Sequence, residues 1–183
     1  DEELIHRRNP AGEEILSINS LDGLIALVQA DVLEIHPWGT TIDDMGHADQ
    51  VTFDLDPGEG VGWKEVVAAA RLVRKKLEAA GLVAFLKTTG GKGLHVVTPL
   101  SPAAKWEDAK SFAQAIALEM EDENPERFIA TSSKRDRAGK IFIDYLRNSR
   151  GATAVAAYST RALAGAPVST PLFWEELGPR LRS

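Results

Sequence analysis

The sequence predicts an α/β domain in which a mixed β-sheet is flanked by helices. Two observations predict this class: strand-like segments alternate with amphipathic helical segments, and no long linker, low-complexity tract or internal repeat interrupts them. The chain has 183 residues, 44% of them hydrophobic, which is enough to bury a core without disulfides. We therefore expect residues 1–183 to form one domain, with a strand order that the sequence leaves open.

Three segments have the patterns of helices. The first begins at Ser20, a typical N-cap residue, and extends to Ala30; the others cover residues 62–81 and 105–121. Apolar residues at steps of three and four predict the inner face of each longer helix. These residues are Val66, Ala70, Val73, Leu77 and Ala80 in the first of the two, and Trp106, Ala109, Ala113, Ile116 and Met120 in the second.

Strands are predicted where β-branched and aromatic residues are bounded by turn-forming residues. The predicted strands cover residues 32–36, 50–54, 83–87, 93–98, 128–131 and 141–145. A basic loop at 132–140 precedes the last strand, and an apolar stretch at 152–158 follows it.

The charge of the chain is unevenly distributed. Its net charge is −6, which taken alone argues against a nucleic-acid partner. Acidic residues dominate positions 1–70, however, whereas basic residues are in excess afterwards and concentrate between Arg127 and Arg161. This asymmetry indicates a polyanion partner, although a solvated basic surface is the alternative. The absence of cysteine excludes disulfides and thiolate zinc sites, and we expect no membrane segment.

Three carboxylates form a candidate metal site. Asp54 and Asp56 alternate with apolar residues and therefore share one face at the end of a strand. Asp144 lies within an otherwise apolar strand, where a charge is costly unless it is paired or bound to a metal. Two adjacent carboxylates repel each other unless a cation lies between them, which predicts a divalent metal. A turn cap at Asp54 and Asp56 and a salt bridge from Asp144 to Arg147 remain the alternatives.

A glycine-rich turn predicts an anion site. The segment TTGGKGLH at 88–95 joins two predicted strands, so it is neither a dinucleotide-binding fingerprint nor a Walker loop. Because glycine has no side chain, the backbone amides of Gly90, Gly91 and Gly93 can turn toward an anion. Thr89, Lys92 and His95 add side-chain donors. This composition suits a triphosphate, and a plain hairpin turn is the alternative.

Further candidates are one histidine and two arginines. His36 stands at a predicted strand end, a common position for functional side chains in α/β sheets. Arg147 and Arg161 have the guanidinium geometry that suits phosphate oxygens, although surface arginines are common.

Four motifs together resemble the polymerase domain of bacterial ligase D, a member of the archaeo-eukaryotic primase superfamily that serves non-homologous end joining. The motifs are FDLDP at 53–57, TTGGKGLH at 88–95, IFIDYLRN at 141–148 and YSTRA at 158–162. Their order and spacing extend the resemblance over essentially the whole chain. It implies a primase-type catalytic core and a nucleotidyl transferase that prefers ribonucleotides and fills gaps or extends broken DNA ends.

The resemblance also implies roles for individual residues. Asp54, Asp56 and Asp144 would bind two Mn²⁺ or Mg²⁺ ions, with His36 and Arg147 at further active-site positions. Nucleotide contacts would come from the glycine-rich turn together with Arg147 and Arg161. A mobile basic loop would contact template or nucleotide through Lys134, Arg135, Arg137 and Lys140.

The partners that the resemblance implies are NTP or dNTP, DNA ends such as primer-template and gapped duplex, ligase and nuclease modules, and a Ku-like protein. It implies a bacterial cytoplasmic, nucleoid-associated location. Thr89 stands where the family usually has serine, and the family's N-terminal segment is missing, so we expect a truncated fragment with weaker recognition of a 5′-phosphate. Two other functions remain open: a two-metal phosphodiesterase and a non-catalytic module that binds DNA ends.

Overall fold

A six-stranded sheet forms the centre of the fold in the computed structural model, which describes residues 5–8, 12 and 14–181. The side chains of residues 5–7 and 134 lie outside the described part. In chain order, the elements are β1 (Ile5–Arg8), β2 (Glu14–Ser17), α1 (Leu21–Gln29), β3 (His47–Pro57), α2 (Trp63–Ala79), β4 (Phe85–Thr88), β5 (Leu94–Lys105), α3 (Trp106–Glu123), β6 (Phe128–Ile129), β7 (Ile141–Asp144) and β8 (Pro171–Leu172). The predicted α/β class is confirmed.

The order of strands in the main sheet is β6-β7-β3-β5-β4-β8, and β1 and β2 form a separate antiparallel pair. Strand β3 is central and pairs with β5 and β7 antiparallel. The β6–β7 pair is parallel, whereas β4 pairs antiparallel with β5 and β8, so the sheet is mixed as predicted. None of the described helices has a segment both long and apolar enough to cross a bilayer.

The hydrophobic core lies between one face of the sheet and helices α2 and α3. Along β3, alternation places Val51, Phe53 and Leu55 on this face with no exposed surface. The predicted inner faces of α2 and α3 are buried, with the exception of Ala80. The prediction for Ala80 was wrong because α2 ends at Ala79, so that residue 80 caps the helix and is exposed.

The predicted N-cap of α1 is confirmed, because Ser20 Oγ accepts a hydrogen bond of 3.1 Å from the backbone N–H of Gly23. The predicted strand at 32–36 is wrong: the segment is extended but belongs to no sheet. Its backbone at Ile35 accepts from the Ala156 N–H at 2.8 Å and donates to the Ser159 side chain at 2.9 Å. The N–H of Ile35 thus donates to a side chain where a strand pair would offer it a backbone oxygen. The segments at 32–36 and 156–159 therefore make a local contact instead of a regular strand pair.

Candidate active site

A row of four side chains crosses the centre of the sheet on the face opposite the core. Strand register pairs Lys87 with His95, His95 with Asp54, and Asp54 with Asp144. Residues directly opposite each other on neighbouring strands point to the same face. The alternation that buries the apolar side chains of β3 therefore directs Asp54 away from the core and toward the candidate site.

The three predicted metal ligands come together at this row. Each of Asp54, Asp56 and Asp144 offers one carboxylate oxygen, and these oxygens lie within 4.8 Å of one another. Asp54 is almost fully buried, and its Oδ1 atom has no hydrogen bond. Hard oxygen donors around an unsatisfied buried acceptor fit a Mg²⁺ or Mn²⁺ ion. The spacing in the sequence predicted that Asp54 and Asp56 share one face of β3. The pairing of β7 with β3 brings Asp144 beside them.

Crowding changes the protonation of two of the carboxylates. Burial raises the pKa of Asp56 to about 6, and the nearby charges of Asp54 and Asp144 add to the effect. Burial also raises the pKa of Asp144, against the opposing charge of Arg147. A divalent cation at the cluster would compensate this repulsion and favour the ionised carboxylates.

Arg147 pairs with two of the carboxylates. Its Nε and Nη2 atoms lie 3.1 and 3.0 Å from Asp54 Oδ2, and Nε lies 3.3 Å from Asp144 Oδ2. The salt bridge weighed as an alternative to a metal at Asp144 is thus present, yet it leaves Asp54 Oδ1 unsatisfied. Burial would raise the pKa of Asp54, but the His95 and Arg147 contacts outweigh burial and hold that pKa below its ordinary value.

His95 is buried beside Asp54. Its Nε2 atom lies 3.3 Å from Asp54 Oδ1, a contact without hydrogen-bond geometry, and its Nδ1 atom has no hydrogen-bond partner. Burial lowers the pKa of His95, which favours the neutral imidazole. A buried ring nitrogen without a partner is the kind of group that a bound ligand completes.

The glycine-rich turn connects β4 to β5, as predicted. The backbone N–H groups of Gly91 and Gly93 donate to Thr89 Oγ1 at 3.2 and 3.3 Å. These two amides are therefore bonded within the turn and do not face an open anion site, contrary to the expectation that they are free. Gly90 adopts a positive φ of 66°, and a side chain there would collide with Arg161 Cγ at 2.8 Å.

A cavity of about 230 Å³ unites most of the predicted residues. Its lining comprises His36, Asp54, Asp56, Thr89, Gly91, Lys92, His95, Arg147, Ala154, Val155 and Arg161. The fold thus brings the carboxylates, the turn and the distant arginines to one place. A second cavity of about 610 Å³ shares Gly91 and Lys92 with it.

Among the described side chains of the predicted basic loop, that of Arg137 reaches the site. The Arg137 guanidinium lies 3.8 Å above the Phe142 ring and 4.0 Å from Asp56 Oδ2. Arg135 is 92% exposed and pairs with Asp136, and Lys140 contributes its backbone oxygen to the loop anchor at Gly58. The side chain of Lys134 lies outside the described residues.

Two residues near the site were not predicted. Glu34 contacts both His36 and Arg161, at 2.7 and 3.2 Å. Asn148 is buried, and its side-chain amide bonds the backbone N–H and oxygen of Thr52 at 2.7 and 2.9 Å. Glu34 stands two residues before His36, and this spacing could have indicated a contact between the two side chains. Nothing in the sequence relates Asn148 to Thr52.

Comparisons with known proteins agree with this geometry. The family model described as LigD, primase-polymerase domain, matches residues 2–183. The multifunctional non-homologous end joining protein LigD of Pseudomonas aeruginosa is 46% identical over 169 residues, which are 92% of this chain and 20% of that protein. Its namesake from Mycobacterium bovis is 38% identical over 174 residues, covering 90% of this chain and 23% of that protein.

The solved polymerase domain of Mycobacterium tuberculosis ligase D, in complex with DNA, superposes with a TM-score of 0.89 at 35% identity. The match covers 98% of this chain and 66% of that one. This chain therefore spans only about a fifth of its first curated relative and about two thirds of the solved domain. The match over nearly every residue, with the same fold, shows that the chain belongs to the LigD primase-polymerase domain family.

Proposed function

We propose that this chain is a metal-dependent nucleotidyl transferase that extends a primer strand at DNA ends. One observation carries the proposal: three carboxylates converge beside a cavity that also contains the cations Lys92, Arg147 and Arg161. Carboxylates suit divalent ions, and the cations suit a triphosphate. Membership of the family supports the same chemistry.

The proposed reaction joins the primer 3′-oxygen to the α-phosphorus of a nucleoside triphosphate. A new P–O bond forms between the primer oxygen and the α-phosphorus, and the bond between the α-phosphorus and the α,β-bridging oxygen breaks. Pyrophosphate leaves with that oxygen, and the primer hydroxyl loses its proton to solvent. Divalent ions bound to Asp54, Asp56 and Asp144 would acidify the hydroxyl and offset phosphate charge. Lys92 and Arg161 would hold phosphate oxygens, while Arg147 would keep Asp54 ionised and oriented.

The cations of the cavity favour this reaction over phosphodiester hydrolysis. A two-metal phosphodiesterase needs carboxylates of the same kind but no group that holds a triphosphate. Lys92 and Arg161 come from the turn after β4 and from a loop about 70 residues later, and both line the cavity with the carboxylates. Two phosphate-binding side chains from separate segments are what a triphosphate substrate requires.

We further propose two Mn²⁺ or Mg²⁺ ions, a preference for ribonucleotides, and DNA contacts from the basic loop through Lys134, Arg135, Arg137 and Lys140. The Thr89 methyl group would lie beside the nucleotide. The chain would act as one domain, with ligase and nuclease modules and a Ku-like protein as partners at the bacterial nucleoid. The names of the curated relatives support the assignment to end joining.

The test is primer extension with Mn²⁺ or Mg²⁺ and each rNTP or dNTP, on gapped DNA with and without a 5′-phosphate. Asp144→Asn should reduce nucleotide addition on the order of a thousandfold, because it removes one metal ligand without changing shape. Asp122→Asn, at an exposed position of α3, is the matched control and should retain activity.

Full extension by Asp144→Asn would contradict the proposal. Shortening of the labelled strand without pyrophosphate release would instead identify a phosphodiesterase. Salt-sensitive DNA binding by the wild-type protein without any NTP-dependent product would identify a non-catalytic module.

A further inference from the structure

Glu34 lies where two segments of the candidate site meet. Its Oε2 atom is 2.7 Å from His36 Nε2 and 3.2 Å from Arg161 Nε, and its Oε1 atom accepts a hydrogen bond of 2.6 Å from the Ala162 N–H. The His36 and Arg161 side chains are separated by more than 120 residues in sequence, and one carboxylate joins them. Hydrogen bonding to His36, followed by the bond from Ala162, lowers the pKa of Glu34 to about 2, so the carboxylate stays ionised at assay pH.

Glu34 is not one of the residues that line the cavity. Among the described residues, its partners His36 and Arg161 line it. An anionic group inside the cavity would compete with phosphate for Arg161. A carboxylate outside the cavity lining can instead hold Arg161 by its Nε atom and leave the Nη2 atom to donate to a phosphate.

A second contact restrains Arg161 from the opposite side. Its Nη1 atom donates to the backbone oxygen of Thr89, and its Cγ atom lies close to Gly90, where only glycine fits. Glu34 and the glycine-rich turn together therefore fix both ends of a long, otherwise mobile side chain. Fixing such a side chain before the ligand arrives reduces the entropy that binding would otherwise cost.

We propose that Glu34 is a positioning residue for nucleotide binding, which acts by holding Arg161 as a preorganised donor to the phosphates of an incoming nucleoside triphosphate. The inference rests on the proposed function for the identity of the ligand. It predicts that Glu34 contributes to nucleotide affinity through Arg161 and contributes little to the chemical step.

The experiment measures binding of ATP with Mg²⁺ by calorimetry, and steady-state primer extension, for the wild type and Glu34→Gln. Glutamine keeps the size of the side chain but replaces one acceptor oxygen with a donor and removes the charge. We expect the Kd and the KM for nucleotide to rise about tenfold, because the ion pair that holds Arg161 is lost, with kcat within about threefold of wild type. Glu126→Gln, an exposed residue, is the matched control and should change neither constant.

A double-mutant cycle tests whether Glu34 acts through Arg161. In the Arg161→Ala background, Glu34→Gln should produce no further loss of ATP affinity, because its partner is already absent. Additive losses would overturn the inference, as would unchanged or tighter ATP binding by Glu34→Gln alone. Tighter binding would mean that the carboxylate competes with phosphate.

The measurements distinguish a failure of the positioning role of Glu34 from a failure of the proposed polymerase function. If the wild type binds ATP in a Glu34-dependent way but extends no primer, the polymerase proposal fails and the positioning role stands. If the wild type extends primers and Glu34→Gln lowers kcat with KM unchanged, the positioning role fails alone. Absence of any ATP binding by the wild type would overturn the positioning role. Circular dichroism and thermal unfolding confirm that each variant is folded.

Discussion

At the scale of single residues, Asp56 is a carboxylate whose charge the fold holds at a cost in stability. Its carboxylate lies beside Asp54 and Asp144, and burial with these charges raises its pKa to about 6. Functional sites commonly retain groups that destabilise the fold in this way. The nearest compensating charge is that of Arg137, at 4.0 Å.

Asp56→Asn should therefore stabilise the metal-free protein at neutral pH while it abolishes nucleotide addition. The pKa of Asp56 is about 6 in the folded state and near 3.8 in the unfolded state, so ionisation costs stability as the pH rises from about 4 to above 6. We expect Tm in EDTA at pH 8 to rise by about 2 °C, a small shift because the side chain is partly exposed.

The gain should shrink as the pH falls below about 6 and be small at about 4, where the wild-type carboxyl is protonated in the folded state and partly protonated in the unfolded state. Thermal unfolding followed by circular dichroism at several pH values measures this dependence, with Asp122→Asn as the control. A lower Tm for Asp56→Asn at pH 8 would show that the contact with Arg137 outweighs repulsion among the carboxylates.

At the scale of elements, the basic loop at 132–140 is anchored beside the site by backbone contacts. The Gly58 N–H donates to the Lys140 oxygen, and the Gly139 N–H donates to the Glu59 oxygen, both at 2.8 Å. A Cβ atom at Gly58 would collide with the backbone oxygen of Arg137 and approach that of Lys140 to 2.9 Å. Glycine at position 58 is therefore a steric requirement for the loop to lie where Arg137 reaches Asp56.

Gly58→Ala should release this loop while the sheet remains folded. We expect trypsin to cleave within the loop faster by about tenfold, because backbone contacts that restrict access are lost. Nucleotide addition should fall as well, since Arg137 leaves Asp56. Gly46→Ala is the control, because a Cβ there meets its nearest neighbour at an ordinary 3.7 Å. Equal cleavage rates for wild type and Gly58→Ala would contradict the anchoring role.

The sequence predicted the elements whose patterns are local. Alternation along 51–56 identified the shared face of Asp54 and Asp56, and helical spacing identified the inner faces of α2 and α3. The segment at 32–36 was misassigned because its composition suits a strand, while its pairing depends on an irregular segment 120 residues later. The roles of Glu34 and Asn148 depend on comparably distant partners, which no local pattern encodes.

At the scale of the whole molecule, the distribution of charge is more informative than its total. The net charge is −6, but Asp54, Asp56 and Asp144 form one cluster whose charge bound cations would offset. Cations from the turn, from the basic loop and from Arg147 and Arg161 surround that cluster. A polyanion that approached this site would therefore meet locally basic side chains on an acidic protein.

DNA binding should consequently weaken steeply as the salt concentration rises. Each cation of the basic loop that contacts a phosphate should add to the slope of log K against log salt. Arg135 is 92% exposed, so it is available to a phosphate, and Arg135→Ala should reduce the slope of log K against log salt by about one. Fluorescence anisotropy with a labelled DNA end, at several KCl concentrations, measures the slope. Lys75→Ala, a substitution at an exposed position of α2, is the control and should leave the slope unchanged. Equal slopes for Arg135→Ala and wild type would exclude a contact between Arg135 and a DNA phosphate.

The central position of β3 has a consequence for motion. At Asp54 and Leu55, β3 has a partner strand on both sides, β5 and β7. Amide protons there should exchange with solvent more slowly than those of the edge strand β8, which exchange through local opening. The carboxylates of Asp54 and Asp56 thus stand on one of the least mobile parts of the molecule. We therefore expect movements of the segments around the sheet to leave the position of these two carboxylates unchanged.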